Sequence, residues 1–327
     1  MMVDNRHDML FNRLLDISAC VQIPLKSFAI YIVVRHTPPQ LRHYSYFILN
    51  TMIWNFLVNL IYTVMHLYPL FPSLCFRLDG ISNLLIDAEV VGHFSFILMF
   101  FLITECGFAL LFAFPHRYIV FAHPNLAARI RPPRAFRICA AIHLLFALIY
   151  FPLAIGWTVS YDDYPNKAEL PARPFVFCFY PNGIQKTAII SAYLTGTAIV
   201  ILVIVVSSIL FLQKVKKLGR GITHDNTLFL QKKLFANLLM LTAIALFFAC
   251  VPLIIIVCAA LFPHAPYGQQ VSLACIAVLC NYGSISAIAY LVSFKAYRDA
   301  VKRIFSNLLD RLTGSKNNVH CIVIKVS

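Results

Sequence analysis

Seven runs of nearly continuous apolar residues divide the chain, each followed by a short polar or basic segment. A helix needs about 20 apolar residues to cross a hydrocarbon core of roughly 30 Å. On that measure the spans fall at 14–34, 45–72, 84–114, 138–158, 187–212, 234–262 and 270–293. The stretch from Thr187 to Leu212 holds no charged residue at all, whereas the first span carries Asp16 and Lys26 and the third carries Glu105. Beyond the seventh run the period changes. Val301, Ile304, Phe305, Leu308, Leu309 and Leu312 share one helical face with Lys302, Arg303 and Arg311 between them, which predicts an amphipathic helix over about 299–312 lying in the membrane interface.

The pattern defines an all-α membrane protein: a seven-transmembrane helix bundle at 14–293, preceded by a polar segment at 1–13 and followed by a tail at 294–327. Composition agrees, with 60% hydrophobic residues, 12% charged residues and a mean hydropathy of +0.78. The first 13 residues are polar and of mixed charge, so the first apolar run is expected to stay as an anchor and not to be cleaved.

The net charge of +14 is distributed with one sign of asymmetry. Twenty Lys and Arg lie in the segments 35–44, 115–137, 213–233 and 294–327, against six in the alternate segments. Cations are retained on the cytoplasmic side, so the N-terminus is expected outside and the C-terminus inside. Such a bias with attraction to anionic lipid accounts for the charge, leaving no need for a nucleic-acid partner.

Other chemistries are tested by residue spacing. Metal-dependent membrane enzymes need His or acidic ligands at i, i+3 or i+4, and the eleven histidines here are scattered singly, so neither a metal, a cofactor nor enzymatic activity is expected. A transporter or channel is the alternative class for seven spans, but the broken helices and internal repeats that signal transport are missing from the sequence. Prolines occur singly in or beside spans, and Pro252, in the sixth, is the expected site of bending. Most of the ten cysteines lie within spans as small packing residues. Cys75 and Cys178 instead fall in the first and second outer loops, where they either form a bridge between the loops or remain free, since sequence does not set their Cα separation.

At the inner end of the third span stands His116-Arg117-Tyr118, which resembles the Asp/Glu-Arg-Tyr element of G-protein-coupled receptors with His116 in place of the acid. The order of further motifs narrows the likeness. Phe28 to Pro38, Tyr46 to Asn50 with Trp54, and Pro69-Leu-Phe-Pro72 with Gly80 resemble the opening of nematode serpentine chemoreceptors. Thr227 to Phe235 with Pro252 is similar to their sixth helix, and Ser293-Phe-Lys295-Ala296-Tyr297-Arg298 to their His-Lys-Pro-Tyr-Arg element, with Ala296 where proline is usual. The pattern, from about residue 20 to 305, resembles the Str superfamily, nearest class h (Srh) or sister classes such as class i (Sri).

The resemblance implies a chemosensory receptor in the plasma membrane, in the setting of a sensory cilium, that binds an environmental or secreted small molecule and signals to a heterotrimeric G protein. It places Arg117, Tyr118, Pro252, Lys295, Tyr297 and Arg298 among switch or coupling residues. Glu105 joins them because a charge at depth is costly and faces the bundle interior; counted from Phe114 it lies toward the inner side, with Asn59, Asn237 or Asn281 as partners. A ligand is expected in the outer half, and depth selects Asp87, Glu89, His93, Tyr193, Phe262 and Gln270 as candidate contacts.

Overall fold

A computed structural model of the chain describes residues 5–39, 42–80, 88–123, 125–126, 132–170, 175–219 and 226–313. Its membrane-length helices are α1 (Asn5–His36), α2 (Arg42–Met65), α3 (Ala88–Ala122), α4 (Pro132–Ile155), α5 (Ile184–Gly219), α6 (Asn226–Ala245, continued through a π turn at Leu246–Cys250 into Val251–Leu261) and α7 (Gly268–Ser293). A shorter α8 (Lys295–Leu312) follows. Seven of these helices are long and apolar enough to cross a membrane. In hydrocarbon each backbone N–H and C=O must be satisfied within its own segment, which makes a helix the solution for every apolar run here.

Several helices run past the expected spans, and two of the boundary shifts bear on the site. The second span, placed at 45–72, ends as helix at Met65, and its remainder becomes strand β1 (Leu67–Leu70). Hydropathy alone cannot separate an apolar strand from the last turn of a helix, and Pro69 favours the extended chain. The third span, placed at 84–114, continues as helix to Ala122, so His116, Arg117 and Tyr118 belong to α3 and do not follow it. Pro115 falls inside that helix, where neighbouring groups can re-satisfy the freed carbonyl.

α3 runs through the centre of the bundle, packed on α2, α4 and α5, while α7 packs on α1, α2 and α6. Lipid offers helices no hydrophobic reason to associate, so close packing and buried polar ties hold them. One end carries the aromatic cluster of Phe114, Phe211 and Phe235, in which Phe211 and Phe235 stack with centroids 3.9 Å apart. The other end carries a small antiparallel sheet of β1, β2 (Cys75–Leu78), β3 (Thr158–Val159) and β4 (Val176–Phe179), in the order β1-β2-β4-β3. Cys75 and Cys178 are cross-strand partners in it and form a disulfide, Cα to Cα 4.1 Å.

α8 leaves α7 at a bend around Phe294 and returns along α1. Tyr297 and Ala300 are buried against the bundle, whereas Phe305, Leu308, Leu309 and Leu312 are exposed. An exposed apolar face beside a membrane end, carrying cations on its other side, is the arrangement of an interfacial helix.

Candidate functional site

Beneath the sheet the helices part to leave a cavity of about 520 Å³ among α2, α3, α4, α5, α6 and α7. Among the described residues its lining includes no Asp, Glu, Lys, Arg or His. Most of the hydroxyls on its wall take part in hydrogen bonds: Thr104 donates to Phe100 O (3.0 Å), Tyr150 to Ile97 O (3.0 Å), Tyr62 to Leu67 O (2.8 Å) and Ser73 to Leu70 O (2.5 Å), while Tyr193 bonds with Thr197. Two glycines make the room. A methyl added at Gly107 or Gly196 would meet no other atom within 4 Å.

The sheet is the roof. Leu70, Phe71, Leu74 and Phe76 of the β1–β2 hairpin line the cavity from above. Phe177 of β4 lies so close to α3 that a methyl at Gly92 would sit 2.3 Å from its ring. His93 donates from Nε2 to Cys178 O (2.7 Å); a carbonyl can only accept, so this nitrogen carries the proton. Glu89 accepts from the backbone N–H of Tyr161 (2.9 Å), and the Trp157 indole donates to Tyr180 O (2.9 Å). The first turns of α3 thus hold the sheet in place.

These placements sort the candidate ligand contacts. Tyr193 lines the cavity. Glu89 and His93 anchor the roof and do not line the cavity. Phe262, at the end of α6, is 69% exposed. Gln270 is exposed on α7, while its neighbour Gln269 donates to Tyr68 Oη (3.1 Å). Asp87 lies outside the described residues. Depth along a helix, without a known rotation, selects residues on every face.

The wall contributed by α6 contains the helix irregularity. Ala245, Ala249, Leu253 and Val257 line the cavity at successive turns, and the π turn sits between the first and third of them. Pro252 has no N–H to give the preceding turn, and the ladder widens immediately before it.

Two buried polar ties lie at mid-depth, beside the inner part of the cavity. Glu105 is at the midpoint of α3 once that helix is followed to Ala122, deeper than a count from Phe114 suggests. Its partner is His143 of α4, through Nδ1 and Oε2, and not Asn59, Asn237 or Asn281. Sequence spacing gives no sign of this pair, since the two residues stand on different helices and His143 reads as an isolated histidine. Lys26 of α1, fully buried, donates to Asn55 Oδ1 on α2 (2.7 Å). Both groups press on α7, where a Cβ at Gly283 would fall 1.8 Å from Asn55 Oδ1 and 2.0 Å from Lys26 Nζ. Asn59 extends the tie, donating to Gln22 and to Cys280 O (2.8 Å). Asn55 and Tyr282 also line the large cavity, so this network forms part of its floor.

At the far end, Tyr118 packs into the aromatic cluster of α3, α5 and α6, and the His116 ring lies on Phe47 at 4.5 Å. Arg117 is helical in α3; its side chain lies outside the described residues. Tyr297 joins Thr37 Oγ1 through its hydroxyl (3.0 Å). Burial pushes that phenol above its ordinary range, opposed by the Thr37 hydrogen bond, so the contact is made by the neutral form. Arg298 donates to Val292 O (2.6 Å) at the end of α7, and Lys295 is exposed.

Seven membrane-length helices, an amphipathic eighth, a disulfide-bonded roof and a cavity below it define a serpentine receptor bundle of the chemoreceptor type. The family model described as serpentine type 7TM GPCR chemoreceptor Srh matches residues 7–307. The chain belongs to that family, which is a family of receptors and not of enzymes. No curated protein matches the chain.

Proposed function

We propose that this protein is a chemosensory receptor that binds a small molecule in the cavity beneath the sheet and signals to a heterotrimeric G protein, with the sheet outside the cell and the cation-rich end in the cytoplasm of a sensory cell. The observation that carries the reading is the contact between the cavity and the irregular turn of α6. A ligand against Ala245, Ala249 and Leu253 touches the helix before, within and after its π turn. The same helix continues to Phe235 and Leu238, which pack at the opposite end against α3 and α5, and to Leu234, which packs in the cluster of α1, α2, α7 and α8. A ligand that prefers one arrangement of this turn shifts the population of the inner end by its difference in affinity for the two states. Arg117 of α3, the basic 213–233 segment and the exposed Lys295 and Arg298 of α8 are the surfaces offered to an anionic partner face, with Tyr118 and Tyr297 packed behind them as switch residues.

The test is a panel of volatile and soluble small molecules applied to cells expressing the full chain, read by calcium, with Arg117→Ala and Leu253→Trp in parallel. A ligand response lost in both variants, at unchanged surface expression, is the expected result. Solute flux through the purified protein in the absence of G protein would overturn it in favour of a transporter.

A further inference from the structure

We infer that the ligand of this cavity is an uncharged, lipophilic molecule that reaches it sideways from the bilayer, between α4 and α5. The inference rests on the cavity being the receptor site. Its first support is the lining. A charged ligand would leave its hydration for a wall with no opposite charge among the described residues, and most wall hydroxyls already take part in hydrogen bonds, Thr104 to Phe100 O, Tyr150 to Ile97 O and Tyr193 with Thr197. Such a wall gives a ligand few polar groups to meet, which suits a neutral molecule that is mostly apolar and carries at most a polar atom or two.

The second support is where the wall is thin. The lining residues that are also exposed on the outside of the bundle are Ile149 and Leu153 of α4 and Ala192 and Ile199 of α5. Ile149 is 55% and Ile199 49% exposed, on helices that by length and apolarity cross the membrane, so the surface they expose faces lipid. Gly196, one residue in from this seam, adds no side chain to close it. Only 6% of the α4 span and 11% of the α5 span is buried, against 50% for α3. Toward the aqueous side, by contrast, the route meets Leu70, Phe71, Leu74 and Phe76 of a sheet closed by the Cys75–Cys178 bond and pinned to α3 by His93 and Glu89. A lipophilic molecule is already concentrated in the bilayer and finds the weaker wall there.

The full chain in phosphatidylcholine vesicles tests this with N-phenyl-1-naphthylamine, a neutral lipophilic probe whose excitation by the protein's two tryptophans reports occupancy; Trp157 lines the cavity. Saturable energy transfer is expected in the wild type, lost in Gly107→Leu, which puts a bulky side chain into the cavity from a position where a Cβ meets no other atom within 4 Å. Ile149→Phe with Ile199→Phe should slow binding and release together by about tenfold with little change in equilibrium occupancy, and Ile149→Ala with Ile199→Ala should speed both. Transfer that does not saturate, or that survives Gly107→Leu, would overturn the site itself and the function built on it. Saturable transfer lost in Gly107→Leu but with rates indifferent to all four seam substitutions would overturn the lateral route alone. Saturable transfer to the sulfonated analogue 1-anilinonaphthalene-8-sulfonate, lost in Gly107→Leu, would overturn the neutral ligand class.

Discussion

Removing the His143 imidazole tests whether the Glu105 tie between α3 and α4 carries stability. The Glu105 side chain is 0% exposed and that of His143 17%. One carboxylate oxygen rests on His143 Nδ1, and the other has no hydrogen-bond partner among the described residues. In His143→Ala the carboxyl keeps its burial and loses its described donor, and breaking one half of a buried pair costs about 3–5 kcal/mol. Glu105→Gln retains an amide that can still bond the imidazole, so its cost is about 1 kcal/mol. Leu at both positions removes the polar groups together and should return to within about 1 kcal/mol of the wild type. Reversible unfolding in mixed micelles, arranged as a double-mutant cycle, measures the coupling, expected at about 2 kcal/mol or more. Additive single effects, or a His143→Ala loss below about 0.5 kcal/mol, would refute the pairing as a source of stability.

Gly283→Ala places a methyl on Asn55 and Lys26 and should reduce folded receptor at the cell surface sharply, whereas Ala at Gly196, where space is open, should not; surface labelling compares the two. Cys75→Ser frees a loop whose ends are 103 residues apart; chain entropy gives a ceiling of about 4.7 kcal/mol. The measured loss should fall below that ceiling because α3 and α4, inside the loop, remain helical in the membrane, and chemical unfolding with and without reductant reads it. Tyr297→Phe removes the bond to Thr37 and should cost about 1 kcal/mol, seen as faster proteolysis of the tail. Because burial raises this phenol, the contact in the wild type should hold through neutral pH and weaken only as alkaline pH ionises it.

The helices were legible because a bilayer demands length and apolarity, and both are properties of consecutive residues. The strand at Leu67–Leu70 was not, since an apolar run beyond the membrane looks the same whether it coils or extends, and only its pairing with β2 decides. Cys75 and Cys178 could be assigned to one side of the membrane from loop charge, but their adjacency depends on the register of β2 on β4. Pairing across helices was hidden for a related reason. Glu105 announces a buried charge, yet whether its neighbour is Asn59 or His143 depends on the rotation of α2 and α4 about their axes, which weak apolar periodicity leaves unset. The same ignorance of rotation placed His93 and Gln270 in a pocket that neither lines. The features that make the cavity, Gly107 and Gly196, were in plain view and carry meaning only once the opposing walls are known.

The distribution of buried polar ties also says which helices can move. Lys26, Asn55, Asn59 and Gln22 fasten α1 to α2 and, through Cys280 O, to α7. Glu105 and His143 fasten α3 to α4. Among the described residues the tie from α6 to another helix is Asn237 to Ser293 O, at 3.4 Å a long and weak bond, and Thr242 of α6 donates only within its own helix. Apolar contacts alone set a shallow preference between neighbouring arrangements, because side chains such as Phe235 on Phe211 can slide without leaving a polar group unsatisfied. Of α5 and α6, the two cavity walls held mainly by packing, α6 also holds the π turn and Pro252, which makes it the moving element of the proposed mechanism. With α1, α2 and α7 tied together and α3 tied to α4 by hydrogen bonds, the proposed neutral ligand would act on that wall with the few kcal/mol that apolar contact supplies.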